Sequence, residues 1–295
     1  MGVVNTLKAG LKVVQPVIHA VRTVEAVVEE QGHIAILPGD PAATRRLREV
    51  LGSPAPAPDE DALAILAVSP RGDFPPGAAA LARARRRHPN AALAVLIGTP
   101  DERHRLERRL IEDHGLEASN LVHVNSLEGD DAEAVVDRVT EVLGDAAVVA
   151  ARRTPALRQA VGRRVVRSAS RQAAAIGALP LGGASMPALT LQQIRMVGQL
   201  ATAYDKPLGA DRVLAALSIL GAGFGWRALG RSAVGMVPVG GWAVSGGLAY
   251  AVTRGLGETA HARLAAGHDL VEAPALDKLK PHLEKVLSRI GAADS

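Results

Sequence analysis

Leu63-Ala64-Ile65-Leu66-Ala67-Val68 is an unbroken apolar run of strand length, with no alternating polar residues that would leave one side in water. A strand of this kind needs cover on both faces, and the flanking sequence supplies it. Similar runs occur at His33 to Leu37, Leu93 to Ile97 and Leu121 to Val124. After each run the apolar residues shift to helical spacing, over Pro41 to Leu51, Gly77 to Arg87, Asp101 to His114 and Asp131 to Leu143. This alternation predicts an α/β unit built on a small doubly wound parallel sheet of four strands. Ser53-Pro54-Ala55-Pro56-Ala57-Pro58 is too rich in proline for a helix or a central strand and predicts a surface connection.

Working outward, Val4, Leu7, Leu11, Val14, Ile18, Val21 and Val28 recur at spacings of three and four around Pro16, which predicts an N-terminal amphipathic helix over 1–31, kinked or split. The α/β unit follows over 32–150. Residues 151–186 read as a basic connector helix and 187–266 as a glycine-rich helical domain. Within the latter, Val213 to Trp226 is a 14-residue stretch without charge, and Ser232 to Thr253 is another of 22, holding Pro238 and five glycines. The second is long enough to span a bilayer or to fold back as a hairpin. Small residues recur at Gly221 and Gly225 and at Gly247, Ala251 and Gly255, a spacing that lets helix backbones approach closely. A last amphipathic helix, within 267–295, carries Leu276, Leu279, Leu283, Val286, Leu287 and Ile290 on one side.

Composition narrows the function. Hydrophobic residues make up 48% of the chain but aromatics only 2%, so its cores must be built from Ala, Val, Leu and Ile. Cysteine is absent, which removes disulfides, thiolate metal sites and cysteine nucleophiles. Lys8 and Lys12 are followed by an apolar stretch that Pro16 and His19 interrupt, so no secretory signal is expected. The net charge of +4 is unevenly spread: residues 32–150 carry 13 basic and 19 acidic side chains, residues 151–231 carry 12 and 2. Between Ala151 and Tyr204 there is no acidic residue, and Arg152, Arg153, Arg158, Arg163, Arg164, Arg167 and Arg171 are expected to face lipid headgroups or other phosphate, or else the acidic α/β unit.

In a parallel α/β sheet ligands bind beyond the carboxyl ends of the strands. The loop after the first run, Pro38-Gly39-Asp40-Pro41-Ala42-Ala43-Thr44-Arg45-Arg46, keeps one glycine of a Walker A loop but has Thr44, Arg45 and Arg46 where the second glycine, lysine and hydroxyl belong. The order of strands, loops and helices resembles a GTPase in degraded form. Ser69-Pro70-Arg71-Gly72 stands for D-x-x-G, Gly98-Thr99-Pro100-Asp101 for the guanine-reading loop, and Asn125-Ser126-Leu127 for the serine-alanine loop. Gly39, Thr44, Arg45, Gly72, Asp101 and Ser126 are therefore the candidate vestigial nucleotide positions, with Asp101 equally readable as a helix N-cap. No cofactor is expected, and GTP is disfavoured by the loss of phosphate and metal contacts. His33, His88, His104, His114, His123, His261 and His268 have no metal-ligand spacing, and there is no G-x-S-x-G elbow, so no metal or hydrolase site is expected.

The stretch Met186 to Val197, then Ala203-Tyr204-Asp205-Lys206-Pro207-Leu208, Gly221 to Arg227, Val237 to Ala243 and Thr253-Arg254-Gly255-Leu256-Gly257 resembles the YcjF-like, Era-like GTPase-associated domain of unknown function. With Thr154 to Arg158 as lead-in, the likeness covers residues 154–266. It implies a helical module found after Era-like GTPase domains and in inner-membrane proteins of the YcjF type, with no catalytic residue of its own.

The leading expectation is a membrane-associated pseudo-GTPase acting as scaffold or regulator at the cytoplasmic face of the cell membrane, with a cytoplasmic location second. Its expected partners are membrane lipids, an unspecified protein and further copies of the chain. The alternatives are an active or weak GTP-binding protein with a divergent P-loop, and a soluble basic protein that binds nucleic acid or a partner. Nucleic acid is disfavoured because aromatic stacking partners are nearly absent.

Overall fold

The computed structural model describes residues 33–52, 62–70, 76–89, 91–179, 185–206 and 241–270. These divide into two compact units at the Val161–Gly162 bond. The first holds four strands, β1 (Ile34–Ile36), β2 (Leu63–Val68), β3 (Ala92–Ile97) and β4 (Leu121–Val124), parallel throughout and ordered β1-β2-β3-β4. Its helices are α1 (Pro41–Leu51), α2 (Gly77–Arg87), α3 (Pro100–His114), α4 (Gly129–Leu143) and α5 (Ala147–Arg153).

Successive residues of a strand point to opposite faces, and all six residues of β2 are buried, so both faces of the sheet are covered. On one face Ala64, Leu66 and Val68 meet Ala92, Ala94 and Leu96 of β3, under Ala78, Leu81 and Ala84 of α2 and Leu106 and Leu110 of α3. The other face is covered by α1, which packs on β1 and β2, and by α4, which packs on β4 and touches α1. Leu47 and Leu51 of α1 and Val135 and Val139 of α4 are fully buried. Each such side chain contributes about 2 kcal/mol, the main force holding the layers together.

Strand β1 is shorter than the apolar run that predicts it. His33 is exposed, while Leu37 is buried and donates its N–H to Ile65 O at 2.8 Å. Helix α3 starts at Pro100, whose missing N–H costs nothing at a first helical position. Helix α4 starts two residues ahead of the expected Asp131.

The second unit is helical, built from most of α6 (Arg158–Ala178), with α7 (Ser185–Ala203) and α8 (Gly241–Ala265). Glycines bring the helices together. A Cβ at Gly177 of α6 would lie 2.9 Å from Ser245 O and 2.8 Å from Ala249 Cβ of α8. One at Gly246 would lie 2.9 Å from Ala174 O, and one at Gly257 would lie 2.8 Å from Met196 Sδ of α7 and 2.9 Å from both Val166 methyls of α6. The close approach expected at Gly247 and Ala251 is thus misplaced, while Gly255 is half-buried. Gly247 and Ala251 are exposed, and a Cβ at Gly247 would meet open space. The neighbouring turn of the helix, with Gly246, Thr253, Leu256, Gly257 and Ala260, faces inward.

Among the described residues no helix is long and apolar enough to cross a membrane. Helix α8, at 25 residues, has the length but carries Arg254, Glu258 and Arg263. The expectation of a membrane-associated protein is corrected on that ground, and with it membrane lipids as partners and the face of the cell membrane as its place. Val213 to Trp226, residues 232–240, Gly221 with Gly225, the proline-rich connection, and the amphipathic helices before Gly32 and after Pro274 lie outside the described residues.

Candidate functional site

The carboxyl edge of the sheet is where a phosphate-binding loop would sit, at the N-terminus of α1. Asp40 occupies that place. It is the N-cap residue, and its carboxylate accepts the Ala43 N–H at 2.8 Å, so a negative charge of the chain's own already faces the helix end. The loop also lies flat on the sheet. A Cβ at Gly39 would be 2.5 Å from Ala67 O, and one at Gly77 would be 2.5 Å from Pro38 O, which already accepts the Gly77 N–H at 2.9 Å. Thr44 is buried with its hydroxyl unpartnered, and Arg45 is exposed on α1.

The loops after β3 and β4 repeat the arrangement. Glu102 accepts the Thr99 N–H at 2.9 Å and the Thr99 hydroxyl at 2.8 Å. Thr99 is the N-cap residue of α3, so the N-cap reading of Asp101 is corrected: Pro100 fixes the first helical position, and Asp101 sits exposed in the first turn. After β4, Asp131 Oδ2 accepts the N–H groups of Asn125 and Ser126 at 2.9 and 3.1 Å, while Arg103 donates to Asn125 Oδ1 at 3.1 Å. Asp40, Glu102 and Asp131 therefore each accept from N–H groups that would otherwise be open to an anionic ligand. The spacing of Thr99 and Glu102 carries a capping-box signal in the sequence. Asp131 reaches back across a loop and has no such signal. Gly72 lies outside the described residues, and among those described no group of three His, Asp or Glu side chains is placed to hold a metal ion.

The arginines fall into two sets. Arg158 donates from Nε to Ala151 O and from Nη2 to Arg152 O, each at 3.3 Å, and Arg153 Nη1 donates to His33 Nε2 at 2.6 Å. These contacts stitch the end of α5 into the first unit. Farther along α6, Arg163, Arg164, Arg167 and Arg171 are exposed, opposite the buried Val165, Val166, Ala169, Ser170 and Ala173. Arg164, Arg167 and Arg171 follow at steps of three and four on one stripe, and among the described residues none has a hydrogen bond or ion pair. Neither α6 nor α7 contains an Asp or Glu that would neutralise them locally.

His261 was set aside in the sequence for want of ligand spacing; α8 places it in the packing of the second unit. Its ring lies against Gly162, where a methyl group would overlap it, and meets the Tyr204 ring edge-on with centroids 5.8 Å apart. Its Nε2 is covered without a hydrogen-bond partner. Burial, and then the charge of Arg163, hold its pKa below the usual histidine value.

No protein-family model, curated protein or solved structure matches the chain. The GTPase-like reading of the α/β unit has no family match behind it, and its phosphate positions are filled by the chain's own groups. That reading, and the pseudo-GTPase scaffold built on it, are corrected accordingly.

Proposed function

We propose that the chain is a binding module that performs no chemistry and engages an acidic protein surface through Arg164, Arg167 and Arg171. The observation that carries this is three exposed guanidinium groups in one stripe, unpaired among the described residues, on a helix without acidic residues. A guanidinium fork matches a carboxylate in two parallel hydrogen bonds, and it holds its charge at any working pH. One feature favours carboxylates over nucleic acid: aromatics are 2% of the chain, leaving little to stack on bases.

The motif order from Met186 to Gly257 supports a second proposal, that residues 154–266 carry a YcjF-like module. It assigns no reaction and is compatible with a binding role.

Fluorescence anisotropy with a labelled oligo-glutamate peptide tests the first proposal. The full chain should bind, about tenfold more weakly in ~0.5 M salt, where the Debye length shortens to a few ångströms. The R164A/R167A/R171A variant should lose most of the affinity. Equal binding by that variant overturns the reading, and tighter binding of duplex DNA than of peptide transfers it to nucleic acid.

A further inference from the structure

Resting on that reading, we infer that the acidic surface is supplied by a second copy of this chain, along the outer side of α4. Asp130, Glu133 and Asp137 lie there at steps of three and four, the same steps as Arg164, Arg167 and Arg171 on α6, and Glu141 continues the line. Asp130, Glu133, Asp137 and Glu141 are all exposed, and Asp130 and Glu133 have no hydrogen bond or ion pair among the described residues. At 1.5 Å per residue each set of three charges spans about 10 Å of helix, so the two stripes match in length as well as in sign.

Neighbouring residues leave room for the helices to meet. Ala134 is exposed beside the acids, and Ser168 and Ala175 are exposed beside the arginines, so small side chains flank both stripes. The one basic residue of α4, Arg138, donates to the Ser119 carbonyl and pairs with Glu141 at 2.7 Å, so its charge is spent at the far end of the acidic line. The two stripes are different surfaces, so each copy contributes one partner to a contact that is not self-matching. Exposed ion pairs are individually weak and screened by salt, so the association is concentration-dependent and salt-sensitive.

Sedimentation velocity over a concentration series tests this. The wild-type chain should form species larger than the monomer in low salt and return to monomer in ~0.5 M salt. R164E/R167E/R171E and D130R/E133R/D137R should each be monomeric alone, and an equimolar mixture of the two should associate again. R105E/R108E, on the exposed outer side of α3, controls for net charge and should associate as the wild type does. A wild-type monomer up to about 1 mM in low salt, association untouched by R164E/R167E/R171E, or a mixture that stays monomeric overturns the inference. If the wild type is monomeric yet the oligo-glutamate peptide still binds through the arginines, the second copy fails and the binding module stands. Loss of both overturns both.

Discussion

The carboxyl edge of the sheet and the outer face of α6 are both rich in groups able to bind ions, and they differ in where those groups are spent. At the sheet edge Asp40, Glu102 and Asp131 consume the loop and helix N–H groups at 2.8 to 3.1 Å, and Gly39 and Gly77 press backbone against backbone. On α6, three guanidinium groups stand in water with no partner among the described residues. Parallel α/β architecture directs attention to the first place. Counting satisfied and unsatisfied groups directs it to the second, since a ligand must supply what the fold has not already supplied.

The largest effect should come from disturbing the filled edge. Gly77→Ala forces a methyl group against Pro38 O and Leu66 Cδ1, and the backbone oxygen has nowhere to go. A loss of about 3 kcal/mol in chemical denaturation is expected, the upper end of overpacking costs. A loss under about 0.5 kcal/mol would mean that the edge has slack enough for a ligand after all.

Next in size is Asp131→Ala, which strands the Asn125 and Ser126 N–H groups. A cost of about 1 to 2 kcal/mol is expected, as for loss of a helix cap. Added phosphate that restored stability to this variant, and not to the wild type, would show the carboxylate standing where an anion can bind.

A smaller effect should depend on pH. The folded pKa of His261 lies below its ordinary value of 6.5, so the unfolded chain takes up the proton more readily. Stability is fully present above 6.5 and declines as the pH falls through 6.5 toward the lowered folded value. Thermal unfolding of His261→Gln should show a shallower decline across that range; an unchanged slope would place the titration elsewhere.

The smallest effect should be that of R164A/R167A/R171A on stability, within about 0.5 kcal/mol, because these side chains are exposed and make no hydrogen bond or ion pair among the described residues. A clear destabilisation in denaturant titration would move the arginines into the same class as the sheet edge and dissolve the contrast.

Most of the α/β unit was legible because its elements are bounded by strong punctuation. Leu63–Val68 and Leu121–Val124 are strands as their apolar runs predict, and Pro41–Leu51 and Gly77–Arg87 begin and end where the periodicity does. Strand order was not legible, since a fully apolar strand looks the same beside any neighbour. In the second unit the importance of small residues was visible but the phase was not. Gly246 and Gly247 are adjacent, α8 is uncharged over its first half, and only packing decides which of the two faces in. The arginine run was equally plain, yet nothing in its spacing separated Arg153 and Arg158, which bond to the first unit, from Arg164, Arg167 and Arg171. At the sheet edge the GTPase pattern drew notice to Asp101, while Glu102, one residue on, completes the capping box of α3, and Asp131 reaches back to the loop after β4 with no signal in the sequence.

The sequential strand order β1-β2-β3-β4 bears on how the chain is made. A ribosome releases the N-terminus first, and here each new strand docks beside the one synthesised just before it. No segment has to wait for a distant mate, so the sheet can thicken strand by strand during translation, with few long loops to close and little time for an open edge to find a wrong neighbour.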